Sequence, residues 1–191
     1  MVRKHNKFIM KETKKLLDKA GMEKLLKRLA HEIVEKNKGT QDLVIIGIMT
    51  RGAHLAKRLA KFISEIESPG PAVGTLDITL YRDDLSVIAE QPVVKRTDLL
   101  FSITNKKVIL VDDVLYTGRT VRAALTELID FGRPQFIQLA VLIDRGFREL
   151  PIRADFVGKN IPTSQKEIVE VRLEETDAVD EVVVLEKVDN K

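Results

Sequence analysis

At 191 residues the chain is long enough for one domain with a sizeable core, and no stretch inside it reads as a second. It holds no cysteine, which excludes disulfides and thiolate chemistry, and it has neither a signal-peptide core nor an apolar run able to span a bilayer, so a cytoplasmic protein is expected. A net charge of +3 does not by itself point to nucleic acid, but residues 1–40 carry 12 Lys and Arg against 5 Asp and Glu, while the remainder carries 20 against 24.

Residues 1–12 read as partly disordered or as a short extended arm. A helical pattern starts near Thr13 and meets a break at Gly21, because glycine costs helix stability. Beyond it, Met22, Leu25, Leu26, Leu29, Ala30 and Ile33 share one side of a helix. Lys24, Lys27, Arg28, His31 and Glu35 share the other. By spacing alone the basic side is an ordinary solvated face, and a phosphate-contacting surface is the alternative.

Leu43 to Met49 is an apolar run of strand length, Thr50-Arg51-Gly52 a tight loop, and Ala53 to Ile63 an amphipathic helix. A strand, a short glycine loop and a helix together form an anion site, where Arg51 would add charge-assisted hydrogen bonds. His54, just inside the helix, reads as structural. Glu67 to Gly74 is a connector rich in proline and glycine. Thr75 to Tyr81 alternates, with Leu76, Ile78 and Leu80 against Asp77 and Thr79, and is expected to be a strand with one wet face. Arg82 to Asn105 has mixed charge and little period, as a lid or a disordered loop has, and for Arg82 to Asp84 a surface turn with local ion pairs is the alternative.

The most informative stretch is Val108 to Thr120, VILVDDVLYTGRT. Four apolar residues predict a buried parallel strand that ends at Asp112 and Asp113. Thr117, Gly118, Arg119 and Thr120 then feed a helix over Val121–Phe131, closed by Gly132. The first amides of a helix have no partner within it, and the helix dipole favours an anion there. Gly118 lets the backbone approach a ligand and the threonines add donors, which makes a phosphate cradle. The adjacent carboxylates suit sugar hydroxyls or a Mg2+ ion. An acidic pair that merely caps a helix is the simpler alternative, but capping needs only one such side chain.

Phe136 to Ile143 predicts another buried strand. Asp144 and Arg145 lie at its C-terminal end, the ligand edge of an open parallel sheet, where a plain salt link is the alternative. Short extended pieces follow from Leu150 to Ser164, and Ile168–Leu173 and Glu181–Leu185 read as closing strands. No Walker-type phosphate loop and no G-x-G-x-x-G occurs, so nucleotide hydrolysis and dinucleotide binding are unsupported.

The string VILVDDVLYTGRT resembles the phosphoribosyl diphosphate signature of type I phosphoribosyltransferases. With GIMTRG (47–52), LDITLYRDDLS (76–86) and residues 132–164, the chain is similar from its first long helix onward to the bifunctional pyrimidine operon attenuation regulators that are also uracil phosphoribosyltransferases. The resemblance implies an α/β fold with a mostly parallel central sheet flanked by helices, and a flexible catalytic loop based at Tyr81, Arg82, Asp83 and Asp84. It also implies one domain over 1–191, with a small hood built from the N-terminal part and about 150–170.

It further implies that Thr50, Arg51, Gly52, Asp112, Asp113, Tyr116, Thr117, Gly118, Arg119 and Thr120 bind phosphoribosyl diphosphate with Mg2+ near Asp112 and Asp113. Asp112, Asp113, Arg51 and Arg82 would serve catalysis. Arg145, Phe156, Val157 and Lys159 would meet uracil. Lys24, Lys27, Arg28, His31, Lys36, Arg148 and Arg153 would meet pyrimidine operon leader RNA under control of uridine monophosphate, from a homodimer or homotetramer. At Phe147 the chain departs from the family, which carries histidine there; an aromatic ring can stack on an unpaired base. A salvage transferase without RNA binding is the alternative, and a purine-type transferase fits the long motifs poorly.

Overall fold

A computed structural model describes residues 8–81 and 97–189. In chain order the elements are β1 (Phe8–Leu17), α1 (Lys19–Asn37), β2 (Leu43–Ile48), α2 (Arg51–Ile66), β3 (Ala72–Leu76), a 3-10 turn over Thr79–Tyr81, β4 (Lys107–Leu115), α3 (Arg119–Phe131), β5 (Phe136–Asp144), β6 (Phe156–Asn160), β7 (Glu167–Arg172), α4 (Glu174–Asp177) and β8 (Glu181–Asp189). Five strands form a parallel sheet in the order β3-β2-β4-β5-β6, and three form a small antiparallel sheet, β1-β8-β7.

The parallel sheet is covered on both faces, as its unbroken apolar strands require. Along β4, Ile109 and Val111 face the cluster made with α1 and α2, through Leu26, Leu29, Ile33, Leu55, Leu59 and Ile63. Val108 and Leu110 face the other cluster, with Val121, Ala124 and Leu128 of α3. The strand order puts β4 at the centre of the sheet, and its C-terminal end lies at the ligand edge.

The fold differs from the sequence expectation in four places. Thr13 to Leu17 is strand, not helix: β1 pairs with β8 across the length of the chain, for example Met10 with Lys187 and Lys15 with Val183. Long-range pairing overrides a local helical preference here. Helix α1 instead starts at Lys19, where the Asp18 carboxylate accepts the Gly21 amide at 2.8 Å, a cap worth about 1 kcal/mol. Gly21 therefore lies inside the first turn and breaks nothing.

Strand β3 ends at Leu76, and the chain turns at once into the 3-10 turn. Asp77, expected on a wet face, is buried. Its Oδ1 accepts the Thr79 amide and hydroxyl, so the side chain builds the turn that ends the strand. Strand β4 continues through Asp112 and Asp113 to Leu115, because β5 runs beside it as far as Asp144. Finally, residues 156–160, placed by the resemblance in the hood, form the edge strand of the parallel sheet beside β5. The small sheet draws on residues 8–17, 167–172 and 181–189.

Candidate active site

Two loops meet at the C-terminal edge of the parallel sheet. The first joins β2 to α2 through a cis Met49–Thr50 peptide. Its approach is set by glycine. A Cβ on Gly52 would stand 2.5 Å from the Val111 carbonyl oxygen and 3.2 Å from the Asp112 Cα, and a Cβ on Gly47 would stand 2.4 Å from the Gly52 carbonyl oxygen. Only bare backbone at both positions lets the start of α2 rest on the acidic end of β4.

The second loop joins β4 to α3. Asp112 is buried, and its Oδ1 accepts the Asp113 amide at 3.0 Å; Asp113 Oδ1 accepts the Val114 amide at 2.8 Å. Burial pushes the Asp113 carboxyl above the ordinary carboxylate range, against the pull of Asp112, the Val114 amide and the Arg51 guanidinium. Gly118 adopts φ +94°, which glycine tolerates without strain, and caps α3. The helical ladder begins with the Arg122 amide on the Gly118 carbonyl at 2.9 Å, so the amides of residues 119–121 lie ahead of it. The Thr117 hydroxyl accepts weakly from the Arg119 amide, at 3.4 Å.

A brace holds this loop from behind. The Thr117 carbonyl accepts the Glu149 and Leu150 amides at 3.0 and 3.2 Å, and Gly118 leaves room for Ile152, 3.3 Å from where a Cβ would sit. Arg148 donates to the carbonyls of Tyr116 at 2.7 Å, Ile152 at 3.0 Å, Gly146 at 3.1 Å and Leu115 at 3.3 Å, and pairs with Asp144. The half-buried Arg148 guanidinium is thus committed to backbone around the phosphate loop, whereas the sequence expectation set it on an RNA surface. No local pattern could have revealed the grip on the phosphate loop, because Tyr116 and Leu115 lie 32 and 33 residues away.

Arg145 is buried and donates to the Thr163 hydroxyl at 3.1 Å and the carbonyls of Ser164 and Glu167 at 3.3 and 2.8 Å. Its guanidinium carbon lies 4.1 Å from the centre of the Tyr116 ring, which meets the Phe147 ring edge-on at 6.5 Å. Burial presses the Arg145 pKa down. Arg145 therefore ties the end of β5 to the segment before β7 and supports Tyr116. Beside it, Asp144 to Phe147 and Asn160 to Thr163 line a cavity of about 320 Å³.

Of the other expected base contacts, Phe156 is buried in the core beneath α1 with the Lys36 ammonium 4.9 Å above its ring, so its side chain faces away from an open site. The Val157 carbonyl accepts from Arg28, and Lys159 is exposed. Arg82, Asp83 and Asp84 lie outside the described residues.

Arg51, the first residue of α2, turns to the small helix α4. Its Nε and Nη2 donate to Asp177 Oδ2 and Oδ1 at 3.2 and 2.9 Å. Burial opposes ionisation of Asp177, but the Leu173 amide, the Thr176 hydroxyl and Arg51 bring its pKa down to about 2. Sequence reasoning placed Arg51 at the site but missed Asp177, 126 residues away.

On the outer face of α1, Lys24, Lys27, Arg28, His31 and Lys36 are exposed. Arg28 reaches the carbonyls of Val157 and Gly158 at 3.0 and 2.6 Å, and Lys36 pairs with Asp155 at 3.0 Å. These bonds join the helix to the edge of β6, next to the exposed Arg153. Lys27 pairs with Glu23 and lies 5.4 Å above the Phe62 ring.

Comparison with known proteins agrees with this architecture. The family model for the phosphoribosyl transferase domain matches residues 12–176. A protein named Bifunctional protein PyrR from Pelotomaculum thermopropionicum is 61% identical over 176 residues, covering 92% of this chain and 97% of the relative. The chain belongs to the phosphoribosyl transferase family, in the branch of the PyrR proteins. Proteins of the same name from a Thermoanaerobacter species and from Thermus aquaticus are 58% and 59% identical, over 93% and 90% of this chain and 100% and 95% of theirs.

Solved structures support the fold of the phosphoribosyl transferase family. A Trypanosoma cruzi hypoxanthine phosphoribosyl transferase superposes with a TM-score of 0.71 at 21% identity, covering 96% of this chain and 94% of that one. A Staphylococcus aureus hypoxanthine phosphoribosyltransferase gives 0.68 at 23% identity, over 90% and 92%. Among the described residues, no helix is long and apolar enough to cross a membrane.

Proposed function

We propose that this chain is a uridine-nucleotide-dependent RNA-binding regulator of the pyrimidine operon that also joins uracil to phosphoribosyl diphosphate, giving uridine monophosphate and pyrophosphate. The observation that carries the transferase reading is the contact of Gly52 with Val111 and Asp112. It puts an arginine-bearing helix start against an acid pair that is itself followed by a second open helix start. One sheet edge thus offers two anion sites with sugar-binding acceptors between them.

In this reading the amides and hydroxyls of Thr117 to Thr120 hold the 5′-phosphate, with Tyr116 at the edge of the loop. Asp112 and Asp113 accept from the ribose hydroxyls and favour positive charge on the ring as the bond to the leaving group lengthens. Arg51, with Thr50 and Gly52, takes up charge on the departing pyrophosphate. Uracil enters from the Arg145 and Val157 side with Lys159 at its rim, where the Phe156 side chain takes no part.

Two carboxylates are too few for a protein-built metal cage, and no larger cluster occurs among the described residues. They suit a Mg2+ that arrives with the diphosphate, since this ion commonly takes one or two carboxylates and completes its shell with substrate oxygens and water. When bound, the ion supplies charge neutralisation at the diphosphate. No side chain is assigned as general base.

The regulatory reading is supported by the excess of base in residues 1–40 and by the continuity of α1 with the edge of β6 through Arg28 and Lys36. Lys24, Lys27, Arg28, His31, Lys36 and Arg153 form the proposed RNA face; Arg148 acts from beneath it. One such face is a small footprint, so a homodimer or homotetramer presenting several fits the task.

Conversion of labelled uracil with phosphoribosyl diphosphate, and retention of leader RNA with and without uridine monophosphate, test both halves. Absence of turnover removes the enzyme. RNA affinity that ignores the nucleotide removes the regulator.

A further inference from the structure

The small helix α4 and its flanks, residues 173–180, carry four acidic side chains directed at two neighbouring helices. Arg58, two turns beyond Arg51 on α2, donates to Glu175 at 2.9 and 2.6 Å and to Asp180 at 3.0 and 2.7 Å. Asp180 is buried and also accepts the Glu174 amide at 2.9 Å, while Lys19 of α1 pairs with Glu174 at 2.7 Å. This end of the segment is anchored. At its other end Asp177 accepts the Leu173 amide at 2.9 Å and the Thr176 hydroxyl at 2.7 Å, so its carboxylate is oriented before it meets Arg51.

The way Arg51 is held is specific. Asp177 engages one edge of the guanidinium, Nε and Nη2. Arginine has five N–H donors in a rigid fork, so the Nη1 edge remains for an incoming phosphate. An unpaired arginine on a helix start would sample many rotamers, and ordering it on binding would cost about 1–2 kcal/mol. A carboxylate clamp removes that cost and aims the fork in advance.

We infer that Asp177 is a positioning residue for the diphosphate site: it grips Arg51 from the small helix so that the free edge of the guanidinium is presented to the pyrophosphate portion of the substrate. The inference rests on the transferase reading above. It assigns a role to a residue distant in sequence from every motif, and makes residues 173–180 the support of the loop between β2 and α2.

The test is steady-state kinetics of wild type, Asp177→Asn, Asp177→Glu and Glu175→Gln. Asp177→Asn keeps the shape but loses the charge. It should raise KM for phosphoribosyl diphosphate and weaken inhibition by pyrophosphate, each on the order of tenfold, with KM for uracil unchanged. Asp177→Glu should recover part of that loss. Glu175→Gln, which loosens only the Arg58 anchor, should lower the melting temperature and leave KM for the diphosphate unmoved.

If Asp177→Asn does not fold, Thr176→Val, which removes one donor to the same carboxylate, should move the same two constants in the same direction by less. Unchanged KM and pyrophosphate inhibition in the variants, or a parallel rise in KM for uracil, would overturn the inference while leaving the transferase reading intact. A wild-type protein without turnover would overturn that reading and this one together.

Discussion

Replacing Gly52 by alanine tests the contact on which the candidate site depends. The added Cβ would lie 2.5 Å from the Val111 carbonyl oxygen, inside the 3.0 Å that real Cβ contacts respect, so the backbones must separate by roughly 0.5 Å. Both atoms belong to regular backbone, one opening α2 and the other inside β4, and no side-chain rotation relieves the clash. Overpacking of this kind costs about 1–3 kcal/mol. For a chain of this size each kcal/mol lowers the melting temperature by about 2–4 °C.

The functional effect should exceed the thermal one. A misplacement of about 1 Å can cost around 100-fold in rate, so half that shift between Arg51 and the acid pair should lower kcat/KM for phosphoribosyl diphosphate about tenfold. Gly21→Ala adds the same atom where the nearest neighbour is the flexible Asp18 carboxylate at 3.1 Å, and should leave turnover unchanged. The assay is initial-rate turnover of labelled uracil beside a thermal melt. A Gly52→Ala protein with wild-type melting and kcat/KM within about twofold of wild type would refute the reasoning.

Other outcomes follow from the same geometry. Asp112→Asn and Asp113→Asn should each lower turnover by at least about 100-fold, measured as uridine monophosphate formed; unchanged rates in both would remove the acid pair from catalysis. Lys24→Ala and Arg153→Ala should weaken leader RNA binding and each reduce the slope of log affinity against log salt by about one, whereas a salt slope equal to wild type would take these residues off the RNA face.

The Asp177 pKa of about 2 lies below its ordinary 3.8, so the folded state binds this proton less readily than the unfolded chain. The stability it contributes is present above pH ~4 and is lost as pH falls through about 2; urea melts of wild type and Asp177→Asn should therefore converge across that window. Glu127 is buried with Oε2 lacking a hydrogen-bond partner among the described residues, and burial, with Asp77 and Asp130 nearby, raises its pKa. Its ionisation penalises the fold as pH rises above the ordinary 4.5, so Glu127→Gln should stabilise the protein more at pH 8 than at pH 4; equal melting shifts at the two values would argue against a penalised carboxylate.

The loops that bear the chemistry were legible in the chain because their signals are local. An apolar run that meets acids, a glycine and a helical pattern leaves little conformational choice, and the boundaries of β2, β4, α3 and β5 came out within a few residues of expectation. The amphipathic face of α1 was legible for the same reason: Met22, Leu26, Leu29 and Ile33 all lie in the core.

Local signals in the chain thus define the segments whose structure depends on neighbours a few positions away. Long-range packing settled the remainder. Thr13 to Leu17 became strand because β8 supplies hydrogen-bond partners from the other end of the chain. Phe156 turned inward because α1 covers that face of β6, and Arg148 became a brace because the Leu115 and Tyr116 carbonyls at the end of β4 arrive beside those of Gly146 and Ile152 in its own loop. Arg51 gained its partner only when residues 173–180 folded back on α2. In each case a long polar or aromatic side chain has several acceptable local environments, and the one it adopts is set by which distant backbone or charge arrives beside it.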